Sequence, residues 1–307
     1  MINFIGNRRK AYVLSSVLVL ASLVSLLFFG LNLGIDFTGG TVLNLNLGED
    51  FSLEEVEAVI APFEELQGAA IQIVQGRDIS GEATDEGLVL KAPYIEESRR
   101  EALMDAFRAR WPKLDPADLR IESVGAVVGG EMSRQALIAL AVAIVLMVAY
   151  ITFRFEFRFA LATIVALLHN IIIVVGIFSI FRMEINVPFV AAILTVFGYS
   201  VNDTIVIFDR IRENIKHKRK SDYAEIVNQS INQSLMRSIN TSLTTLFVLV
   251  ALLFGFYYYI GSVDLIVFVI ALILGVFVGT YSSIFVASPL WLNLQDLKIR
   301  RTSRKAA

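Results

Sequence analysis

VPFVAAILTVFGYSVNDTIVIF, the stretch Val187–Phe208, is a predominantly apolar run in which Asp203 alone can carry charge. The hydrocarbon core of a bilayer takes about 20 such residues in a helix, so the stretch reads as a membrane span. A carboxylate inside it costs about 2.5–3.5 kcal/mol on insertion scales and therefore faces a partner or a wet path. DRIREN (Asp209–Asn214) follows at once and must lie outside the hydrocarbon, which puts Asp203 close to one membrane face. A carboxylate so placed marks a transporter or a proton relay.

Working outward, five further stretches are long and apolar enough to span: Ala11–Leu31, Gln135–Phe153, Phe159–Phe181, Leu243–Ile260 and Val263–Leu292. The last is long enough to tilt, or to run on past Pro289 along the surface. The first follows Arg8-Arg9-Lys10 without a small-residue cleavage pattern behind it, and is expected to stay as an uncleaved helix. Basic residues gather before helix one, between helices two and three (Arg154, Arg158), between helices four and five (Arg210 to Lys220) and after helix six (Lys298 to Lys305). Six spans put all four groups on one side, which is then cytoplasmic and holds both termini.

Hydrophobic residues make up 56% of the chain, in keeping with a membrane protein. There is no cysteine and there are two distant histidines, His169 and His217, so no thiolate or zinc centre is expected. The chain offers no phosphate-binding loop, no nucleophile–base pair and nothing that reads nucleic acid. It is expected to be no enzyme, to need no cofactor, and to draw its energy from an ion gradient or a partner.

Between helices one and two lies an acidic loop patterned as a folded domain. Thr41–Leu47 alternates as a half-buried strand, and Ser52 with Glu55 forms a capping box opening a helix toward Leu66. Ala70–Val74 and Leu88–Leu90 read as strands, Ser98–Trp111 as a helix ended by Pro112, and Leu119–Val124 as a last strand. The order βαββαβ is ferredoxin-like. The expected division is residues 1–31 for helix one, 32–130 for an extracytoplasmic α+β domain, 131–292 for helices two to six, and 293–307 for a basic cytoplasmic tail. Glycines mark both joints: Gly34, Gly39 and Gly40 on one side, Gly129 and Gly130 on the other, read as tight turns or hinges. Asp36, among the first set, is expected to cap or stabilise its turn.

GIDFTGG (Gly34–Gly40) resembles a motif of the SecD/SecF family of export proteins. GYSVNDTIV (Gly198–Val206) with FDRIREN (Phe208–Asn214) is similar to the signature of its SecF branch, as are GTYSSIF (Gly279–Phe285) and Ala287-Ser288-Pro289. The resemblance covers nearly the whole chain. It implies an accessory subunit of the bacterial cytoplasmic (inner) membrane, within the proton-driven resistance–nodulation–division superfamily. Such a subunit pairs with a SecD-like subunit beside the SecYEG channel and draws a translocating preprotein across late in export. The resemblance ties proton passage to Asp203 and to an arginine at the start of helix five, here Arg237. It also shows one departure: His169 is followed in the family by an aspartate, and here by Asn170.

The residues themselves give two readings of Asp203: a proton site, or a helix–helix hydrogen bond satisfied by Asn202 and Thr204. Arg237 is either its counter-cation or an interfacial anchor. Arg237, Thr241 and Thr244–Thr245 share one helical face, a stripe suited to a wet path. Asp203, Arg237, Asn202 and Thr241 are thus the expected relay. Gly275 and Gly279 form a small-xxx-small pair for close helix packing. Two rival functions stand beside the export subunit: a self-contained proton-driven exporter of small amphiphiles, and a scaffold in which Asp203 only packs.

Overall fold

The computed structural model describes residues 1–47, 51–66, 69–77, 83–112, 114, 119–217, 223–260 and 262–306. In chain order the main elements are α1 (Arg8–Phe28), β1 (Gly40–Asn46), α2 (Leu53–Ile60), β2 (Ala70–Arg77), β3 (Ala83–Ala92), α3 (Glu97–Arg110) and β4 (Leu119–Val124). They continue with α4 (Ala126–Arg154), α5 (Phe157–Ile180), α6 (Val187–His217), α7 (Tyr223–Gly255), α8 (Val263–Ser282) and α9 (Ser288–Ala306). The chain divides into two compact units. One holds Met1–Asn32, Ile138–Phe254 and Val263–Ala307; the other holds Leu33–Leu137 with Gly255–Ser262.

Among the described residues, six helical stretches are long and apolar enough to cross a membrane: Arg8–Phe28, Ala126–Arg154, Phe157–Ile180, Val187–Lys216, Tyr223–Tyr258 and Val263–Leu297. They coincide with the six expected spans, but two begin much earlier than hydropathy alone indicates. The fourth helix α4 starts at Ala126, taking Gly129 and Gly130 into its first turns instead of leaving them in a joint. The helix α7 starts at Tyr223, because Ile226, Val227 and Ile231 bury one side of an otherwise polar segment. Arg237 therefore sits well inside α7, not at its end.

Burial sorts these helices into a centre and a periphery. Of the apolar stretches of α5 and α6, 56% and 50% are buried, against 6% for α4 and 11% for α7. α6 packs along α8, α5 against α8, and α1 against α5. Close approach is allowed by missing Cβ atoms: one built on Gly275 would lie 2.1 Å from Val196 Cγ2, and one on Gly176 2.2 Å from Ser22 Cβ. At the end carrying the basic residues, Phe159 packs against Phe208 (4.7 Å between centroids) and stacks on Trp291 (4.6 Å). Val142, Val145 and Leu146 of α4 and Phe247 and Val248 of α7 are exposed, as lipid- or partner-facing residues are. Between α8 and α9, Ser283–Ala287 is a π-helical turn. Pro289 follows it, where the missing N–H of proline is tolerated at the start of a helix.

The second unit carries a four-stranded sheet in the order β2-β3-β1-β4, antiparallel at every step. Register places Leu43 opposite Leu90 and Leu45 opposite Leu88. These four leucines are buried with Val56 and Ile60 of α2 and Leu103, Met104 and Phe107 of α3, forming its core. The capping box is present: Glu55 N–H donates to Ser52 Oγ (3.3 Å) and Ser52 N–H to Glu55 Oε2 (3.1 Å). That backbone donor holds the Glu55 carboxyl below its ordinary range, with the Arg110 guanidinium adding to the effect.

Candidate functional site

The site is built on α6, whose two polar faces are treated differently by the bundle. On the face toward α5 and α8, hydroxyls and amides close on one another. Thr204 Oγ1 donates to the Ser200 carbonyl (3.0 Å) and lies 2.8 Å from Ser283 Oγ. Asn170 of α5 donates to Ser200 Oγ (2.9 Å), and its Oδ1 lies 3.1 Å from His169 Nδ1. Gly279 makes room for this contact, since a Cβ there would lie 3.1 Å from Ser200 Cβ. Buried polar groups satisfied in this way hold helices together in a low-dielectric interior.

Asp203 sits on the other face. It is 6% exposed, and its Oδ2 has no hydrogen-bond partner among the described residues. The groups that act on it come from α7: the Ser238 hydroxyl as the neighbouring side-chain donor, and Arg237 through its charge. Ser238 is itself buried, and its Oγ, like Asp203 Oδ2, meets no hydrogen-bond partner among the described residues. Asn202 is exposed, and Thr204 is committed to Ser200 and Ser283. Neither satisfies the carboxylate, so the reading of Asp203 as a hydrogen bond closed by its own neighbours fails here.

The structure also turns α7 relative to expectation. Thr241 and Thr244 are exposed, their hydroxyls bonded back to the carbonyls of Arg237 and Asn240. The buried polar stripe is instead Ser230, Ser234, Ser238 and Ser242. Ser242 Oγ accepts from Tyr199 of α6 (3.0 Å) and lies 2.7 Å from Thr280 Oγ1 of α8. Sequence reasoning missed this stripe, although four serines at i, i+4 spacing signal it. Arg237 is exposed and lines a cleft of about 280 Å³ with Val206, Asp209, Arg210, Glu213, Gln233 and Ser234. Among the described residues no three His, Asp or Glu side chains come together as metal ligands would.

The glycine motif belongs to the other unit. Gly34 opens a single helical turn, Ile35–Thr38, that carries Asp36. Gly39 and Gly40 follow with φ of +74° and +144°, conformations that L side chains rarely adopt. A Cβ on Gly129 would lie 2.8 Å from the Gly39 nitrogen, and one on Gly39 2.8 Å from Ala126 Cα. Gly39 and Gly129 thus form a backbone-to-backbone contact, and Gly130 lies beside it inside α4. Both Gly129 and Gly130 lie inside the helix rather than in a turn, but only Gly129 makes close contact, since a Cβ on Gly130 would meet nothing within 4 Å.

Comparison with known proteins is consistent along the chain. Residues 107–297 match the family described as "Protein export membrane protein SecD/SecF, C-terminal", and residues 24–48 match the "SecD/SecF GG Motif". The protein translocase subunit SecF of Magnetococcus marinus is 39% identical over 311 residues, covering 99% of this chain and 96% of the relative. That of Sebaldella termitidis is 37% identical, covering 95% and 91%. The crystal structure of SecDF from Thermus thermophilus, a translocon-associated membrane protein, superposes with a TM-score of 0.80 at 37% identity. It covers 96% of this chain and 39% of that longer one. The glycine turn, the six helices and the α6 signature lie within these matches, and the chain belongs to the SecD/SecF family of protein-export membrane proteins.

Proposed function

We propose that this chain, an accessory subunit of Sec export, acts as a proton-driven part of that machinery, with Asp203 as the site that takes up and releases the proton. The observation that carries this is the buried carboxylate with an oxygen left without a hydrogen-bond partner among the described residues. Asp203 is buried in a membrane span, its Oδ2 is unpartnered among the described residues, and Arg237 and Ser238 act on it from α7. A carboxylate that only packed would be closed by hydrogen bonds, as Ser200 one turn before it and the adjacent Thr204 are. One charge crossing 100 mV releases about 2.3 kcal/mol, enough to bias a conformational step.

The partner reading rests on the relatives. The SecDF chain carries the region matched here as 39% of its length, so the homologous half works joined to a further part. This chain correspondingly pairs with a SecD-like subunit, beside the SecYEG channel, and acts on a translocating preprotein. The distribution of basic residues supports both termini lying on the cytoplasmic side of the inner membrane. The unit Leu33–Leu137 then lies outside, and its βαββαβ order with strand order β2-β3-β1-β4 supports a ferredoxin-like domain. Domain limits near 32 and 130 follow from the same reading, with residues 293–307 as a basic cytoplasmic tail.

The decisive experiment is gradient-dependent preprotein release from membrane vesicles carrying Asp203→Asn, after assembly of the complex has been verified. Release is expected to fall to the level seen without a gradient. Release at the normal rate would return Asp203 to a packing role.

A further inference from the structure

The segment ahead of α1 is bound to α7 by its backbone. Ile2 N–H donates to Asn232 Oδ1 (2.8 Å), and Phe4 and Ile5 N–H donate to Asn228 Oδ1 (2.8 and 3.2 Å). The Ile2 carbonyl accepts from Asn228 Nδ2 (3.1 Å) and Asn232 Nδ2 (2.8 Å). A carboxamide is donor and acceptor at once, so two asparagines one turn apart can grip both polar edges of a passing chain. Side chains anchor the same segment. Phe4 and Ile5 are buried in the core at this end, and Phe4 meets Phe285 edge-on at 5.6 Å. Asn3 then turns the chain into α1, accepting from Gly6 N–H (2.8 Å) and, through its carbonyl, from Asn7 Nδ2 (2.9 Å).

The position of this grip on α7 gives it meaning. At 100° per residue, Asn228 and Asn232 lie within about 40° of each other around the helix. Gln233 and Ser230, which α6 holds, lie about 140° and 200° round from Asn228. There Arg210 Nε donates to Gln233 (2.7 Å), and Asn214 donates to Ser230 (2.8 Å) and Gln233 (2.9 Å). The helix is therefore held from two opposing sides just before Arg237 and Ser238. Beyond that point its buried residues are Ser238, Ser242 and Leu249, with Ser242 bonded to Tyr199 and Thr280.

We propose that the strap Ile2–Ile5, read by Asn228 and Asn232, sets the rotational register of α7 and so aims Ser238 and Arg237 at Asp203. Asn228 and Asn232 are positioning residues. They touch neither the carboxylate nor the proton, and the assignment rests on the proton-site reading of Asp203. A slip of one residue in register turns Ser238 away by about 100°, which removes it from the carboxylate.

The chain has no cysteine, so paired substitutions report the geometry cleanly. Val206→Cys with Ser234→Cys, two positions lining the same α6–α7 cleft, would be oxidised in the full chain within its complex, and the disulfide rate measured. Adding Asn228→Ala and Asn232→Ala is expected to slow cross-linking about tenfold and to lower gradient-dependent release in step. Asn228→Asp keeps the acceptor for the Phe4 and Ile5 N–H groups and is expected to restore most of both. If the double alanine chain does not accumulate, Asn232→Asp, which retains the acceptor for Ile2 and loses the donors, is read by the same rate. Unchanged cross-linking overturns the strap's role in register. Slowed cross-linking with undiminished release overturns its link to the proton site. If Asp203→Asn releases preprotein normally in the same vesicles, the proton reading fails, while the cross-linking rate still judges the strap.

Discussion

The two polar faces of α6 are made of similar residue types and behave as opposites. Toward α5 and α8, Ser200, Thr204, Asn170 and Ser283 satisfy one another at 2.8–3.0 Å, and Gly275 and Gly279 let the backbones approach. Toward α7, Asp203 and Ser238 are equally buried and each keeps an oxygen without a partner among the described residues. Burial is common to both faces, and hydrogen-bond closure is what separates them. On the closed face Ser200, Thr204 and Ser283 are engaged with one another and fix the bundle, while His169 Nε2 at its edge is buried without a partner among the described residues. The open face holds a buried polar group at an energetic cost, which natural membrane proteins keep mainly where a proton, ion or substrate relieves it.

The largest effect expected is on the closed face. Gly275→Leu would set a side chain against Val196, whose Cγ2 already lies within 2.1 Å of an added Cβ. Overpacking of this kind costs about 1–3 kcal/mol or more, and the chain should lose its folded, protease-resistant form in membranes. Asp203→Asn should act in the opposite direction on stability. With no charge left buried, the detergent-solubilised complex is expected to melt higher, by about 1–3 kcal/mol, while release is lost. A lower melting temperature would show that the carboxylate belongs to the closed network after all. Thr204→Val, which keeps the shape and removes the bonds to Ser200 and Ser283, should cost about 1 kcal/mol and leave the pH profile of release in place. A shifted profile would merge the two faces into one system.

Two smaller changes lie outside both faces and serve as controls. Ser52→Ala removes the cap of α2 and should destabilise the sheet-bearing unit by about 1 kcal/mol without altering Asp203 chemistry. Glu55, whose carboxyl is held below its ordinary value of 4.5 by the Ser52 N–H, contributes stability that is fully present above that value. The contribution is lost as pH falls through the lowered folded value. Glu55→Gln should flatten this acid limb of the unit's melting profile, seen by circular dichroism at a series of pH values.

Much of this arrangement is legible in the residues. The spans follow from hydropathy, the capping box from Ser52 and Glu55, and the candidate carboxylate from its isolation in an apolar run. The start of α7 is not, because hydropathy registers Leu243 onward and overlooks a polar helix held by Ile226, Val227 and Ile231. The face of α7 is not legible either. Arg237, Thr241 and Thr244 make as good a polar stripe as Ser230, Ser234, Ser238 and Ser242, and only the assembled bundle decides between them. Gly129 reads as a joint because glycine at a domain edge usually is one. Its use as a landing place for the Gly39 backbone depends on a contact between distant parts of the sequence, which no local pattern encodes.

The π-helical turn at Ser283–Ala287 has a consequence of a different kind. Its extra residue is visible in the bond from Ser288 Oγ to the Ser283 carbonyl, five residues back, where an α-helix would count four. The turn works as an angular reserve, because it holds one residue more than the α-helix on either side needs. Deleting one residue there would rewind it to α-helix, four α-helical residues covering nearly the angle that five wider-wound ones cover now. Trp291 would then keep its place on the Phe159 ring, whereas the same deletion inside α8 would rotate everything beyond by about 100°. Shortening by one residue should therefore be far better tolerated in this turn than in the helices that flank it.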